Sequence, residues 1–436
     1  MSGLQRPARA ECWIVLLVAV AVYVPVAVYL TLALDKVDWA AVATTSRAFD
    51  VVFGGEQPGL SRIGFAEPPL PGLLQIPLVA AMPHLGTRAL AAPLAAAVLA
   101  ALACVLLCKV MAETGAPPWL RWLLLLAFGF NPTWLYAAAT GLMMAPLVCF
   151  LALACGLYLA RWARDGILRD LVMCGLIASA AFIAHFEAAA LTVAMALAVG
   201  LIVRADRRGD WSEVEGTLIT LLLPAAAVAA VWTGTCWAIM GDPLYSLRGG
   251  AGADRIWLLA LEGTLFASFV LWCRRTATET RPLLAGLTPT LIMAATGALI
   301  AGWDGTAPSP WAGYGYLQPV QEDVQTFTDF RRLGSAAANA AGDGLVIVDS
   351  DMAFAISLAS GRPRSFVAAD LLHRRKAGDK LRLATHVLTD LTAAPPAADG
   401  TAPPDTRVNG FLGGRRLVRV WSVGQWRLFR LPADVE

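Results

Sequence analysis

The sequence predicts an α-helical polytopic membrane protein with a small C-terminal α/β domain. Hydrophobic residues make up 58% of the 436 residues and charged residues only 15%, whereas about a quarter of a soluble domain is charged. Apolar runs of membrane-spanning length recur up to residue 302, and beyond Trp303 the runs become short and strand-like. The net charge is only +2 and the arginines stand in short clusters between apolar runs. This pattern is typical of membrane topology signals and excludes a nucleic-acid surface.

Nine or ten segments are apolar enough to be membrane spans, since a span needs about 20 apolar residues. The first, Trp13 to Ala33, lacks a small-residue cleavage site and is predicted to be a retained anchor. The eight cysteines lie in or beside apolar runs without a CxxC pair, which favours small buried side chains over disulfides or metal ligands. The candidate spans lie near residues 13–33, 69–83, 88–108, 119–138, 139–160, 170–186, 187–203, 214–239, 255–273 and 283–302.

Arginine clusters predict which ends of the spans face the cytoplasm. From Arg161 onward the assignment is consistent, and it places the connections around His185–Glu187 and Gly241–Asp254 outside the cell. The last span then delivers residues 303–436 to the outer face as well. We therefore expect a multi-pass protein of a bacterial inner membrane, with an extracytoplasmic C-terminal domain.

Upstream of Arg161 the count of spans conflicts with the charges. One crossing per candidate, starting inside at residue 1, would put Arg161 on the outer face. One segment between residues 69 and 140 is therefore predicted not to cross fully. The two alternatives are 69–83, which is short and rich in proline, and 119–138, which Asn131-Pro132 interrupts.

Residues 34–68 form the first extracytoplasmic loop of the predicted module 1–302. In DWAAVATTSRAFDVVF, four apolar residues share one helical face and three charged residues do not, which predicts a helix lying in the membrane interface. The apolar residues are Val42, Phe49, Val52 and Phe53, and the charged ones are Asp38, Arg47 and Asp50.

The C-terminal region 303–436 is predicted to be a small α/β domain. GLVIVDS, RSFVAA and LRLATHVLTD have strand patterns, DMAFAISLASG has a helical one closed by Gly361, and RLVRVWSVGQWRLFRL predicts a terminal hairpin. No glycine-rich phosphate loop follows VIVDSD, so Asp349 and Asp351 are interpreted as turn and cap residues. TAAPPAADGTAPPDT is too rich in Pro, Ala and Gly to pack and is predicted to be a loop.

The first loop holds several acids at the boundary of water and lipid. A carboxylate there could accept the proton of an acceptor hydroxyl in a sugar transfer, and cations could hold a leaving phosphate. The alternative is that these are ordinary solvated loop charges. The acids are Asp35, Asp38, Asp50, Glu56 and Glu67, and the cations are Lys36, Arg47 and Arg62.

GFAEPPLPGLL resembles the PPL signature that follows the first periplasmic loop in polytopic GT-C-type glycosyltransferases. This superfamily includes the protein O-mannosyltransferases and the lipid A aminoarabinose transferases. Three further stretches are similar to its members in the same order: FNPTWLYAAATGLMMAPLVCFLALACGLYLARW, AHFEAAALTVAMALAVGL and GDPLYSLRGG. The resemblance covers roughly residues 13–302. It implies a GT-C-like fold and an inverting enzyme of cell-envelope glycan biosynthesis, which transfers a sugar from a polyprenyl-phosphate-linked donor to a glycan, lipid or protein hydroxyl.

The resemblance also implies roles for particular residues. The proton-accepting Asp lies early in the first loop, about thirty residues before PPL, which points to Asp38 first, Asp35 second and Asp50 third. Contacts to the donor and its phosphate would come from Arg62, Glu67, His185, Glu187 and Arg248. The phosphate-carrier branch requires no metal, whereas relatives that transfer oligosaccharides use one, and no ligand cluster in this sequence demands it. The prolines 68, 69 and 71 would start a short helix at a fixed angle and hold Glu67 at the mouth of a cavity.

Two departures from the family pattern support an alternative. His185 stands where relatives carry an Arg, and Met143 and Met144 stand in the region where relatives often carry an acid. These changes favour a non-catalytic GT-C-like scaffold of glycan assembly as the second hypothesis. A transporter ranks last, because the sequence has no internal repeat and its charges lie at the span ends.

Overall fold

A computed structural model describes residues 9–53, 68–85, 88–113, 116–206, 211–244, 327–349, 353–360, 362, 365–368, 384–390, 418–423 and 426–431. The chain divides into two compact units. The bundle unit comprises residues 1–34, 63–78 and 90–319, and the second unit comprises residues 35–62, 79–89 and 320–436. The second unit thus includes most of the first loop as well as the C-terminal region, whereas the sequence division at residue 302 kept them apart.

The N-terminal part of the chain is helical throughout the residues described. Tyr23, Leu107, Leu159 and Leu171 are among its fully buried side chains. The helices are α1 (Arg9–Leu32), α2 (Trp39–Phe53), α3 (Leu70–Leu85), α4 (Ala91–Glu113), α5 (Pro118–Gly129), α6 (Pro132–Thr140), α7 (Met144–Asp165), α8 (Leu168–Ala184), α9 (Ala189–Asp206) and α10 (Trp211–Met240), with short 3₁₀ turns at Arg88–Leu90 and Phe186–Ala188. The predicted fold class, a helical polytopic membrane protein with a small α/β region, is confirmed.

Four of the described helices are long and apolar enough to cross a membrane. They are α1, the segment Arg88–Glu113, α7 and α10, and α5 with α6 makes a fifth if this pair, bent by 61°, is one span. The predicted spans 69–83 and 187–203 form shorter apolar helices, and 255–273 and 283–302 lie outside the described residues. The count of nine or ten therefore stays a prediction.

Two ion pairs, one largely buried and one partly buried, fix the relative direction of the helices. Glu11 at the start of α1 accepts two hydrogen bonds from Arg121 of α5, at 3.0 and 2.8 Å. Glu113 at the end of α4 pairs with Arg161 near the end of α7, where Arg161 Nε lies 2.8 Å from Oε1. We call the end of the bundle that carries these four residues the ionic face. Helices α1 and α5 start there, and α4 and α7 end there.

This arrangement resolves the conflict in the number of spans. Because α5 begins at the ionic face and α7 ends there, α5 and α6 together must return the chain to the opposite end, as one broken crossing. Because α1 starts and α4 ends at the ionic face, both α1 and α4 cross, and α3 between them has no net crossing left to make. Of the two alternatives, the proline-rich segment 69–83 is therefore the one that does not cross.

The break between α5 and α6 has a local cause. Asn131 caps α6 by accepting hydrogen bonds from Thr133 N (3.0 Å) and Trp134 N (3.3 Å), and Pro132 occupies the first helical position. The side chain that stabilises the break is Tyr23, at the middle of α1. Its hydroxyl donates to Gly129 O (3.1 Å), accepts from Trp134 Nε1 (3.2 Å) and lies 3.4 Å from a thiol, Cys104 Sγ.

In the residues that the structure describes, the C-terminal region contains a five-stranded mixed sheet and two helices. Its order along the chain is α11 (Phe327–Ala341), β1 (Leu345–Asp349), α12 (Ala353–Ser360), β2 (Phe366–Ala368), β3 (Ala384–Asp390), β4 (Val418–Val423) and β5 (Trp426–Arg430). In space the strands run β2-β1-β3-β5-β4, with β1 parallel to β2 and β3, and β5 antiparallel to β3 and β4. Every predicted strand, the helix and the hairpin are confirmed, whereas α11 was not predicted. The proline-rich insert lies outside the described residues.

Helix α2 belongs to this second unit and packs against α12. The helix was predicted correctly, and Val42 and Phe49 are buried as expected. However, the polar Thr45 and Ser46 are buried too. The prediction that α2 lies in the membrane interface therefore needs a correction, since its apolar face packs on protein.

Candidate functional site

The first predicted acid, Asp38, is the N-cap of α2. Its Oδ1 accepts a hydrogen bond from Ala41 N (3.1 Å), and its backbone oxygen accepts the first helical bond from Val42 N (3.0 Å). The residue is buried, 5% exposed. An N-cap carboxylate satisfies an amide that has no helical acceptor and interacts with the positive end of the helix, so Asp38 has a structural role whatever its chemistry.

The second acid, Asp35, reaches a distant part of the second unit. Its Oδ2 accepts a hydrogen bond from Thr328 N at 2.7 Å, and Thr328 lies in the first turn of α11. The backbone of Asp35 is left-handed, with φ 51°, a conformation that Asp tolerates better than most residues other than Gly. The short loop after α1 is thus attached to the C-terminal domain.

The third acid, Asp50, lies near the C-terminal end of α2. Arg47 precedes it by three residues, which places both on one face of the helix. The guanidinium carbon of Arg88 lies 4.5 Å from the ring centroid of Phe49, a cation–π contact. Among the residues that the structure describes, no carboxylate forms an ion pair with Arg88. The Arg88 guanidinium is half-buried and stays charged at neutral pH.

Lys36 is another cation of this loop. Partial burial lowers the pKa of its ammonium group. A cation that has lost part of its hydration interacts more strongly with an anion placed next to it. Lys36 lies between the two helix-capping acids, Asp35 and Asp38, in the sequence.

The proline-rich stretch begins α3 as predicted. The helix starts at Leu70, and its first backbone bond runs from Leu73 N to Pro69 O (2.9 Å). Further along α3, the buried Gln75 donates from Nε2 to Met143 Sδ at 3.6 Å. Met143, 4% exposed, packs in a cluster with residues of α4, α7 and α8. The position where the sequence resemblance leads us to expect an acid is therefore occupied by a core side chain.

His185 ends α8 with an extended backbone. Its N–H donates to Ala181 O (2.9 Å), and its carbonyl accepts from Ala188 N (2.8 Å), which shapes the turn into α9. The imidazole is half-buried. This turn lies at the end of the bundle opposite the ionic face, as predicted from the arginine clusters. Of the other predicted donor contacts, Arg62, Glu67, Arg248 and the side chain of Glu187 lie outside the described residues.

The GDPLY stretch terminates α10. Gly241 has a left-handed φ of 74°, and its N–H donates to Trp237 O (2.9 Å), as in other glycine C-caps. Asp242 Oδ1 accepts from Leu244 N at 2.9 Å and forms an Asx turn. These two residues have a local role that explains the motif without a ligand.

In the residues of the C-terminal domain that the structure describes, one histidine is buried. His386 Nδ1 lies 2.9 Å from Thr385 Oγ1, and burial, followed by the nearby Arg430, lowers the pKa of its imidazole. Asp349 ends β1 as predicted, and Asp351 lies outside the described residues. No group of three or more His, Cys, Asp or Glu side chains in the described ranges is arranged to hold a metal ion.

Two participants in this site were missed at the level of sequence. Arg88 is a lone arginine in GTRAL, and its only signal is that it directly precedes an apolar helix. The α11 helix that holds Thr328 has Phe330, Leu333 and Ala337 buried at helical spacing, a pattern that could have been recognised.

The comparisons with known proteins found a distant structural similarity and no family. No protein-family model matches the chain, and no curated protein matches it. Among solved structures, the chain is similar to the crystal structure of the Archaeoglobus fulgidus oligosaccharyltransferase in complex with Zn and sulfate. The identity is 10% and the TM-score 0.40, over 86% of this chain and 68% of that chain. At this level of similarity the match carries no argument about the site.

Proposed function

We propose that the protein is a membrane glycosyltransferase that transfers a sugar from a polyprenyl-phosphate-linked donor to a hydroxyl of a glycan, lipid or protein. The observation that carries this proposal is Arg88, a partly buried guanidinium that stacks on Phe49 and has no carboxylate partner among the described residues. Arginine binds phosphate through several parallel hydrogen bonds, and a cation is what a leaving polyprenyl phosphate needs. The sequence resemblance of the four motifs supports the same class of reaction.

The reaction requires one carboxylate next to the acceptor hydroxyl and one cationic site next to the leaving phosphate. The acceptor hydroxyl loses its proton to a carboxylate while its oxygen attacks the anomeric carbon, and the bond from that carbon to the phosphate oxygen breaks. Attack from the side opposite the leaving group inverts the anomeric centre. The products are the glycosylated acceptor, polyprenyl phosphate and a protonated carboxyl group that returns its proton to water. No metal takes part in this scheme.

The two ends of α2 offer different acids for the proton. Asp38 and Asp50 are twelve residues apart, or about 18 Å along the helix axis, so a single bound sugar can contact only one of them. The family resemblance favours Asp38. A phosphate bound at Arg88, which contacts residue 49, favours Asp50 instead. Asp35, His185 and, from sequence, Arg62, Glu67, Glu187 and Arg248 remain proposed contacts of the loop and the donor.

The orientation follows from the charge of the ionic face. The arginines of that face would lie in the cytoplasm under the positive-inside rule, so that α1 ends and α4 begins on the outside. The loop that carries the candidate acids then begins on the extracytoplasmic side. We propose a bacterial inner membrane as the location, in contact with a lipid-linked donor and with membrane lipid.

The second candidate is a non-catalytic scaffold of cell-envelope glycan assembly, and specific contacts favour it. Met143 is a core residue that contacts Gln75, and the carboxylates of Asp35 and Asp38 both accept backbone N–H groups at helix starts. In a scaffold these acids would serve the fold alone.

The test is binding and turnover by the full-length protein in lipid nanodiscs. The first probe is polyprenyl phosphate itself, titrated against wild type, Arg88→Gln and the matched control Arg332→Gln, an exposed arginine of α11 in the same unit. We expect Arg88→Gln to weaken binding by about tenfold or more and the control to leave it unchanged. Equal binding by all three proteins would contradict the phosphate site.

Release of polyprenyl phosphate from polyprenyl-phosphate-linked sugars, measured by mass spectrometry, then identifies the base. Loss of turnover by at least a hundredfold in Asp50→Asn with retention in Asp38→Asn assigns Asp50, and the reverse assigns Asp38. If wild type binds no polyprenyl phosphate and releases none, and both variants complement a deletion strain, the scaffold is the correct function.

A further inference from the structure

Asp35 has an unusual backbone and an unusual partner. Within the described residues it is the one residue other than glycine with a positive φ, at 51°. Its carboxylate accepts a hydrogen bond from the backbone N–H of Thr328, 293 positions further along the chain. A strained backbone persists where the surrounding contacts hold it in place.

The partner of Asp35 belongs to a rigid part of the second unit. Thr328 lies in the first turn of α11, where the backbone N–H groups have no helical acceptor and favour a nearby negative charge. Two residues later, Phe330 is buried and contacts the ring of Trp426 on β5 edge to face, with centroids 6.1 Å apart. Gly334 lies so close to α12 that a Cβ there would be 3.0 Å from Ile356 O.

The same domain holds the loop at a second place. Helix α2 packs against α12, which buries Ala41, Val42 and Ala48. Only Lys36 and Val37 separate Asp35 from Asp38, the N-cap of α2. Because only these two residues join the attachment on α11 to the helix that carries Asp38 and Asp50, the start of the loop can move little relative to that helix.

We propose that Asp35 is a positioning residue through which the C-terminal domain holds residues 35–53 in place. The Asp35–Thr328 hydrogen bond fixes where α2 begins, and the packing on α12 fixes its direction. The C-terminal domain thereby sets the position of Asp38, Phe49 and Asp50 and with them the geometry of the donor site. The consequence for the donor rests on the proposed function, whereas the attachment itself does not.

The test uses three variants and a control, all in the full-length protein in nanodiscs. Asp35→Ala removes the acceptor, and Thr328→Pro removes the N–H donor at a helical turn that tolerates proline. Asp35→Asn keeps an oxygen acceptor without the charge. Thr328→Ala is the control, because it changes the side chain and keeps the N–H group.

The first measurement is amide hydrogen exchange of residues 36–53, which requires no ligand. We expect Asp35→Ala and Thr328→Pro each to speed exchange there by about tenfold, Asp35→Asn by about twofold, and Thr328→Ala not at all. The double variant Asp35→Ala/Thr328→Pro should exchange no faster than either single variant. Unchanged exchange in both single variants would overturn the proposal.

The second measurement separates positioning from catalysis. A positioning role predicts that Asp35→Ala and Thr328→Pro weaken polyprenyl phosphate binding in parallel, and that Asp35→Asn largely restores it with an unchanged pH profile of turnover. If Asp35 were the base, Asp35→Asn would be as inactive as Asp35→Ala while Thr328→Pro stayed active, and the proposal would be wrong. Suppose that Asp35→Ala and Thr328→Pro speed exchange but the wild-type protein binds no polyprenyl phosphate. This result would support the attachment and reject the proposed transferase.

Discussion

Replacement of Tyr23 by Phe removes a single oxygen atom from the middle of the helix bundle, and we expect it to destabilise the protein by about 2–4 kcal/mol. The side chain is 2% exposed, and the substitution leaves its aromatic ring in place. Packing is therefore conserved, and the effect reports on the hydrogen bonds of the hydroxyl group.

The magnitude follows from the groups that lose a partner. Gly129 is the last residue of α5, so its carbonyl has no helical donor and relies on Tyr23 Oη at 3.1 Å. Trp134 Nε1 donates to the same oxygen at 3.2 Å. Each polar group left unpaired in an apolar surrounding costs about 1–3 kcal/mol, so two cost about 2–6 kcal/mol. Relaxation of the helix break brings the expected loss to the lower half of that sum, about 2–4 kcal/mol. Average hydrogen bonds between membrane helices are worth less, about 0.6 kcal/mol, because both partners usually find substitutes.

The assay is reversible unfolding of the purified protein in mixed micelles of mild detergent and dodecyl sulfate. The matched control is Tyr29→Phe, which removes the same atom from a half-exposed tyrosine of the same helix. Trp134→Phe and the double variant Tyr23→Phe/Trp134→Phe complete a cycle. Because Tyr23→Phe and Trp134→Phe each break the same hydrogen bond, from Trp134 Nε1 to Tyr23 Oη, we expect a coupling free energy of about 1 kcal/mol.

Two results would refute this reasoning. A loss below about 0.5 kcal/mol in Tyr23→Phe, equal to that of Tyr29→Phe, would mean that the hydroxyl does not stabilise the break. Strict additivity of the two substitutions would mean that Tyr23 and Trp134 do not share a hydrogen bond in the folded protein.

Three further predictions use the same protein. Glu11→Gln leaves Arg121 buried without its bidentate partner and should lower the free energy of unfolding by about 3–5 kcal/mol. Asp165→Asn, in an ion pair about one third exposed, should lower it by less than about 1 kcal/mol. Equal losses in the micelle assay would contradict this prediction. Gly175→Ala should destabilise α8 against α10, because a Cβ there would lie 2.5 Å from Leu221 O, whereas Gly216→Ala, with nothing within 4 Å, should be neutral or stabilising in the same assay. Because the pKa of His386 is lowered in the folded domain, the unfolded domain binds the proton more readily. The contribution of His386 to the stability of the domain is therefore greatest above the ordinary pKa of about 6.5 and decreases as the pH falls below it. Protease resistance of the C-terminal domain between about pH 5 and pH 8 should show this slope in wild type and lose it in His386→Gln.

Hydropathy and alternation in the sequence predict the elements of this fold better than their arrangement. The strand Leu345–Asp349 follows from a short run of apolar, mostly β-branched residues, and the hairpin of β4 and β5 follows from alternating runs. Helices α1 and α10 follow from length and apolar character. The arginine clusters alone narrowed the segment that does not cross the membrane to two alternatives, 69–83 and 119–138. Choosing between them required the ion pair between Glu11 and Arg121, residues 110 positions apart.

The candidate site shows the same limit more sharply. The capping role of Asp38 is local, since an Asp directly before an apolar helix is a common N-cap, and it could have been recognised from DWAA. The partner of Asp35 and the position of Arg88 over Phe49 depend on contacts across the folded unit. The sequence can therefore propose which residue types act in the loop, and tertiary packing decides which of them meet.

The long sequence separation between Asp35 and Thr328 also has a consequence for how the protein is made. At about 5–20 residues per second, the ribosome needs roughly 15–60 s to advance the 293 positions from Asp35 to Thr328. Throughout that interval Asp35 lacks the N–H group of Thr328 in α11, and α2 lacks α12 to pack against. The last strand in the chain, β5, is also the one that joins β3 to the edge strand β4. Maturation of the loop is thus coupled to synthesis of the C-terminal region, so that a nascent protein completes its second unit only after β5 has been synthesised.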